Sequence, residues 1–190
     1  MLQQYAVQSK SLSAIKFINR KEELKIFEER FSSKKPEFIM LYGRRRVGKT
    51  ELATHFIIGK PSIYFLAEEK RYLDNLNEMR GIMADFLKNE EFRMIKFENW
   101  VQLFKSFLDK IDRKIVIVID EFPYPKPEWA NPNNGLIYWE KQSGNVCFLG
   151  VSDNFKGSAP EDGYDLSILE AYKEYAFYLR DYAGRETPLY

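Results

Sequence analysis

A chain of 190 residues that is 45% apolar and 30% charged has the composition of a soluble globular domain and is long enough for one proper core. Its single cysteine excludes an internal disulfide or a cysteine metal cluster, and the longest wholly aliphatic run, Ile115 to Ile119, is too short to span a bilayer. The N-terminus lacks the apolar core and cleavage site of a signal peptide, so a cytoplasmic protein is expected.

The net charge of +1 hides an asymmetry: residues 120–190 hold 12 acids against 6 bases, which leaves +7 for residues 1–119. A basic half signals nucleic acid when its bases are striped along one face. Here Glu and Lys alternate, as from Lys21 to Arg30, which is the look of a solvated helix face. No strong nucleic-acid signal results.

Residues 1–14 show no period and are expected to form an arm. Lys21 to Phe31 places Leu24, Phe27 and Phe31 on one helical face opposite charges, an amphipathic helix. Phe38 to Tyr42 is a continuous apolar run, as for a strand buried on both faces of a parallel sheet. It runs straight into Gly43-Arg44-Arg45-Arg46-Val47-Gly48-Lys49-Thr50, which matches the phosphate-binding loop pattern G-x-x-x-x-G-K-[ST] (Walker A) at every fixed position. In such a loop backbone N–H groups point inward at phosphates, the lysine reaches the β/γ-phosphates and the hydroxyl joins the shell of a Mg²⁺ ion. The helix that should follow carries Leu52, Ala53, Phe56 and Ile57 at helical spacing until Gly59 and Pro61. The phosphates would then sit at a helix N-terminus, beside Lys49, Thr50 and Glu51.

Ser62 to Ala67 reads as a second buried strand. Tyr72 to Leu87 reads as a long helix with Leu73, Leu76, Met79, Met83 and Phe86 inward. After a break at Asn89 to Arg93 comes a helix from Trp100 to Ile111 with Val101, Phe104, Phe107 and Leu108 inward. Lys114 to Glu121 is the second chemical landmark. Five β-branched residues make a central strand, and that strand delivers two carboxylates at its C-terminal end, where ligands of open α/β sheets bind. Asp120 is placed to hold Mg²⁺ through water opposite Thr50, and Glu121 to orient the attacking water as a general base. An acidic pair can also simply cap a strand end, a reading that the phosphate loop upstream outweighs.

From residue 17 to residue 124 the successive blocks Phe17-Ile18-Asn19-Arg20-Lys21-Glu22-Glu23-Leu24, Leu41 to Leu52, Tyr64-Phe65-Leu66-Ala67, Trp100 to Phe104, and Ile119-Asp120-Glu121-Phe122-Pro123-Tyr124 resemble those of the archaeal ATPase family of P-loop proteins, grouped with AAA-like and signal-transducing ATPases. The resemblance covers about residues 15–124, the expected ATPase core. It implies a doubly wound parallel sheet with helices on both faces, and ATP rather than GTP as the nucleotide. It further implies that backbone near Ile18 and Arg20 lies against the adenine. Residues 125–190 depart from that pattern, because Pro125, Pro127 and Pro132 forbid the expected helix. They should complete the same domain with a strand at Asn145 to Gly150, a polar Ser152 just beyond it that in such ATPases senses the γ-phosphate, irregular chain, and one helix from Ser167 to about Tyr182. The chain is expected to stop short of the lid and winged-helix region of longer members.

The remaining singular residues divide between bland and functional readings. Arg44, Arg45 and Arg46 either touch nucleotide, a neighbouring subunit or nucleic acid, or face solvent. Lone His55 and Cys147 read as structural, and Trp100, Trp129 and Trp139 as packing groups. Two functions compete: Mg²⁺-dependent ATP hydrolysis, and a nucleotide-gated switch with little turnover that awaits an arginine from self-association or a partner protein.

Overall fold

The computed structural model describes residues 20–34, 37–42, 46–121, 145–152 and 176–178. In chain order these form α1 (Lys21–Ser32), β1 (Glu37–Tyr42), α2 (Lys49–Phe56), β2 (Ser62–Leu66), α3 (Tyr72–Leu87), α4 (Glu90–Met94), α5 (Trp100–Leu108), β3 (Ile115–Asp120), β4 (Val146–Ser152) and β5 (Ala176–Tyr178). The strands make one sheet in the order β2-β3-β4-β1-β5, and every neighbouring pair is parallel. Parallel neighbours need crossover connections, so the helices cover both faces. The fold is therefore the doubly wound α/β sheet that the family resemblance implies.

Alternation along the strands splits the apolar residues into two cores. Ile115, Ile117 and Ile119 of β3 join Phe38, Met40, Ile63 and Phe65 under α3 and α5, where Trp100, Phe104 and Phe107 pack. Val116 and Val118 join Ile39, Leu41, Cys147 and Leu149 under α1 and α2, against Phe27, Leu52 and Phe56. β3 is buried along its whole length, which is why its sequence has no polar face. Burying a side chain such as Phe104 is worth about 1.5–3 kcal/mol, so these two layers hold the strand ends in place beneath the site. At the opposite end of the sheet Glu37 accepts from Arg30 at 3.0 Å and from Ser33 at 2.7 Å, and Lys114 donates to the Ser33 carbonyl, tying α1 to the starts of β1 and β3.

Three expectations need correction. Ala176–Tyr178 is a strand, not part of a helix: it pairs with β1 in the register Met40↔Ala176 to Tyr42↔Tyr178, and this long-range pairing overrides the local helical period. The break expected at Asn89 to Arg93 contains α4, opened by the Asn89 side chain accepting from the Phe92 N–H at 2.9 Å. Leu73 is 54% exposed, because the inward row of α3 starts at Tyr72 and continues through Leu76, Met79 and Met83. Trp129, Trp139 and the capping box at Ser167 lie outside the described residues. No helix among the described residues is long and apolar enough to cross a membrane.

Candidate functional site

The C-terminal ends of β1, β3 and β4 meet at one edge of the sheet. There the chain leaves β1 for the far edge at β2 and returns strand by strand, so this is a topological switch point of the kind where α/β sheets bind ligands. Register places Asp120 beside Val151, and Ser152 beside Tyr42, the last strand residue before the phosphate loop. The expected sensor position of Ser152 thus stands at this edge by its backbone. Its side chain is not among those described, and neither are Ile18, Gly43, Arg44 and Arg45.

α2 starts within the loop. Gly48 is its N-cap at φ 85°, and its carbonyl accepts the first helical bond from the Leu52 N–H at 2.9 Å. A Cβ there would meet no atom within 4 Å, so the left-handed backbone, and not crowding, is what demands glycine. Val47 is buried and packs into the α1/α2 core, anchoring the loop by its side chain. Lys49 is buried at 5% exposure at the head of the helix, while Arg46, Thr50 and Glu51 are exposed. Arg46 adopts φ 65°.

Across from α2, β3 ends in Asp120, which is buried, and in Glu121, which turns the chain at φ 54°. Even-numbered residues of β3 face α2, and Asp120 continues that row. Thr50 Oγ1 donates to Asp120 Oδ2 at 2.8 Å, and the Glu121 N–H donates to Asp120 Oδ1 at 2.9 Å. Of the three non-glycine residues with positive φ among the described ones, Arg46, Lys88 and Glu121, two flank this contact. Lys88 is simply the C-cap of α3. Backbone held in sparsely populated conformations collects at functional sites, since surrounding structure must hold it there.

Thr50 and Asp120 supply a hydroxyl and a carboxylate side by side, with open surface on the Thr50 side. Magnesium prefers hard oxygen donors and binds through one or two carboxylates together with substrate phosphates, so this donor pair fits it. Lys49 and the N-terminus of α2 place positive charge at this same edge.

Two further residues enter the site without belonging to either motif. Arg20 donates to Glu23 Oε1 at 2.8 Å and to the Val47 carbonyl at 3.0 Å, so the segment before α1 is fastened to the phosphate loop by a side chain. Tyr64 of β2 donates its phenol O–H to Asp120 Oδ2. Burial first, then that hydrogen bond to a carboxylate, pushes the phenol well above its ordinary value of 10.0. Nothing in the sequence flags Tyr64, whose partner lies 56 residues away. His55 is exposed on α2, and Cys147 is buried in β4 with its thiol pushed up to about 12 by burial.

The chain is similar to several known proteins. An uncharacterized protein of Methanocaldococcus jannaschii is 39% identical over 117 residues, 62% of this chain and 24% of its own length. An uncharacterized ATP-binding protein of the same organism is 50% identical over 46 residues, 24% of this chain and 78% of its own. Among solved structures, the ORC1 protein of Aeropyrum pernix in complex with DNA shares the fold, with a TM-score of 0.57 at 16% identity over 87% of this chain and 46% of that one. The Walker-type ATPase of Pyrococcus abyssi aligns with a TM-score of 0.49 at 17% identity, over 90% of this chain and 50% of that one. This chain therefore spans about a quarter of the first of these relatives and about half of each solved neighbour. Residues 17–141, more than half of the chain, match the family described as the ATPase domain predominantly from Archaea, and the chain belongs to that family.

Proposed function

We propose that this chain binds ATP at the phosphate loop and hydrolyses it to ADP and phosphate with Mg²⁺, in the cytoplasm. The observation that carries the reading is the contact of Thr50 with Asp120, which joins the loop to the acidic strand end at the sheet's switch point. The loop from Gly43 to Gly48, with its three arginines Arg44, Arg45 and Arg46, would cradle the phosphates, and Lys49 would neutralise the β/γ-phosphate charge. Glu51 stands in the first helical turn beside them. Thr50 and Asp120 would hold Mg²⁺, which when bound neutralises charge that develops on the phosphate oxygens. Glu121 would orient a water for in-line attack and take its proton as the P–O bond to ADP breaks, a role worth about 10² to 10⁴ in rate. Ile18 and Arg20 would border the adenine side.

Phosphate release by the wild type and by Glu121→Gln tests this reading, together with ATP binding by Lys49→Ala. Equal turnover in the first pair would remove Glu121 from the mechanism, and normal ATP binding by Lys49→Ala would undo the loop assignment.

A second reading, a nucleotide-gated switch with little turnover, is favoured by one observation. Arg20 is engaged by Glu23 and the Val47 carbonyl, so an arginine aimed at the transferred group, worth about 10³ to 10⁵ in rate, would have to be a different one. Turnover per molecule that rises with protein concentration would show an arginine arriving by self-association. A flat, near-zero rate with tight ATP binding would favour the switch.

A further inference from the structure

Tyr64 lies on β2, the edge strand, two residues before Leu66, which is the register partner of Asp120. Its ring packs against the core beneath α1 and α2, and its phenol reaches the Asp120 carboxylate. Among the described residues that carboxylate has three donors, from α2, from β2 and from the turn after β3. Thr50 of α2 and Tyr64 of β2 both donate to Oδ2, and the Glu121 N–H in the turn after β3 donates to Oδ1. The three do not have equal freedom to remain. The Thr50 oxygen must offer a lone pair to an ion bound between loop and strand, and Glu121 sits in a turn at positive φ beside the water it would orient. The Tyr64 phenol also lies within hydrogen-bonding reach of Thr50, but it is assigned neither the ion nor the water, and its strand is fixed by backbone pairing to β3 from Ser62 to Leu66.

We propose that Tyr64 is a positioning residue for the metal. Its hydroxyl holds the Asp120 side chain at a fixed rotation while Thr50 exchanges its hydrogen bond for the ion, so that Mg²⁺ meets a carboxylate already in place. The inference rests on the assignment of Thr50 and Asp120 as the metal pair under the proposed function. Outer hydrogen-bond partners of ligating groups fix their orientation, and removing one typically costs about 10- to 100-fold in metal affinity or activity. A purely packing role for Tyr64 makes a different prediction, since phenylalanine keeps the ring and the packing.

The test is calorimetric titration of ATP into wild type and Tyr64→Phe, once in EDTA and then over a series of Mg²⁺ concentrations. The expected result is ATP affinity in EDTA within about twofold of wild type, and a Mg²⁺ concentration for half-maximal gain in affinity raised about 10-fold. An unchanged Mg²⁺ requirement overturns the proposal, as does an affinity loss of the same size with and without metal, which would mark a structural role. Wild type that shows no Mg²⁺-dependent gain at all would instead overturn the assignment of the metal pair, and this inference with it. Should Tyr64→Phe not fold, Tyr64→Met fills much of the same space without a donor and is read by the same two outcomes.

Discussion

Thr50 Oγ1 and Asp120 Oδ2 stand 2.8 Å apart although 70 positions separate the two residues in the chain. The contact joins the start of α2 to the C-terminal end of β3. A hydrogen bond to a charged acceptor contributes about 1.5–3 kcal/mol, so Thr50→Val should lower the unfolding free energy by about that amount in metal-free buffer. The same variant should also lose Mg²⁺-supported phosphate release, and chelation of the wild type should abolish it. Denaturant unfolding and a phosphate assay measure these, and a Thr50→Val protein of full stability and full turnover would refute both halves.

Arg20 gives the second prediction. Its guanidinium is largely buried, at 12% side-chain exposure, and it bridges Glu23 to the Val47 carbonyl. Arg20→Ala should destabilise the domain by about 1–3 kcal/mol through the acceptors it strands, and should weaken ATP binding by loosening the loop. Arg20→Lys keeps the charge but cannot reproduce the two-pronged geometry, so it should fall between wild type and Arg20→Ala. If Arg20 instead serves only the adenine, the two variants will bind inorganic triphosphate as tightly as wild type does.

How much of this was legible in the sequence follows from how local each feature is. Lys49 and Thr50 are found by fixed spacing from Gly43 and Gly48, and Asp120 and Glu121 by standing at the end of an unbroken β-branched run. The α/β architecture follows from such runs alternating with helical periods. Tyr64 looks like any strand aromatic until the register of β2 with β3 puts its phenol beside Asp120. The resemblance points to the Arg20 backbone beside the adenine, but the bond of its side chain to the Val47 carbonyl, 27 positions away, is visible only in the fold. The strand at Ala176–Tyr178 depends entirely on its pairing with β1, which no local pattern encodes.

Arg46 gives the third prediction. It is exposed and holds φ 65°, a conformation that costs a non-glycine residue about 1–2 kcal/mol. Arg46→Gly should therefore keep the loop's geometry and raise stability by up to about 1 kcal/mol, offset by the greater freedom of glycine in the unfolded chain. ATP affinity separates the two readings of the loop arginines: it is unchanged if Arg46 faces solvent, and it drops severalfold if the guanidinium touches phosphate.

Cys147 gives the fourth. Its thiol is fully buried in β4, and burial raises it from 9.0 to about 12. The folded state thus favours the protonated thiol, so its contribution to stability is complete below pH 9 and is lost as pH rises towards 12. The wild type should lose stability over that window more steeply than Cys147→Ala, in unfolding curves recorded at matched pH. A thiol reagent at pH 8 should react with Cys147 only after denaturation, and rapid labelling of the folded protein would contradict the buried placement.

The last prediction concerns duplex DNA, towards which the net charge of +7 on residues 1–119 would pull. Non-specific affinity for a duplex comes from cationic side chains that neutralise phosphates, and 6 to 10 such contacts lose about 10³ to 10⁵ in affinity between 50 and 200 mM salt. In this chain many basic residues already face a carboxylate: Arg20 with Glu23, Lys25 with Glu29, Arg30 with Glu37, Lys60 with Glu28, Lys70 with Glu68 and Glu78, Arg71 with Asp74, and Arg93 with Asp85 and Glu90. Among the described residues these pairs are spread over α1, α3 and α4 and the turns beside them. A duplex approaching them would meet acids with the bases, and the net positive balance of residues 1–119 would translate into little attraction once salt screens beyond about 8 Å at 0.15 M. The expected outcome of a fluorescence anisotropy titration with a duplex at about 150 mM salt is therefore no saturable binding below micromolar concentrations. Submicromolar affinity with a steep salt slope would show that unpaired arginines form a phosphate-binding surface, and Arg46→Ala would be the first variant to locate it.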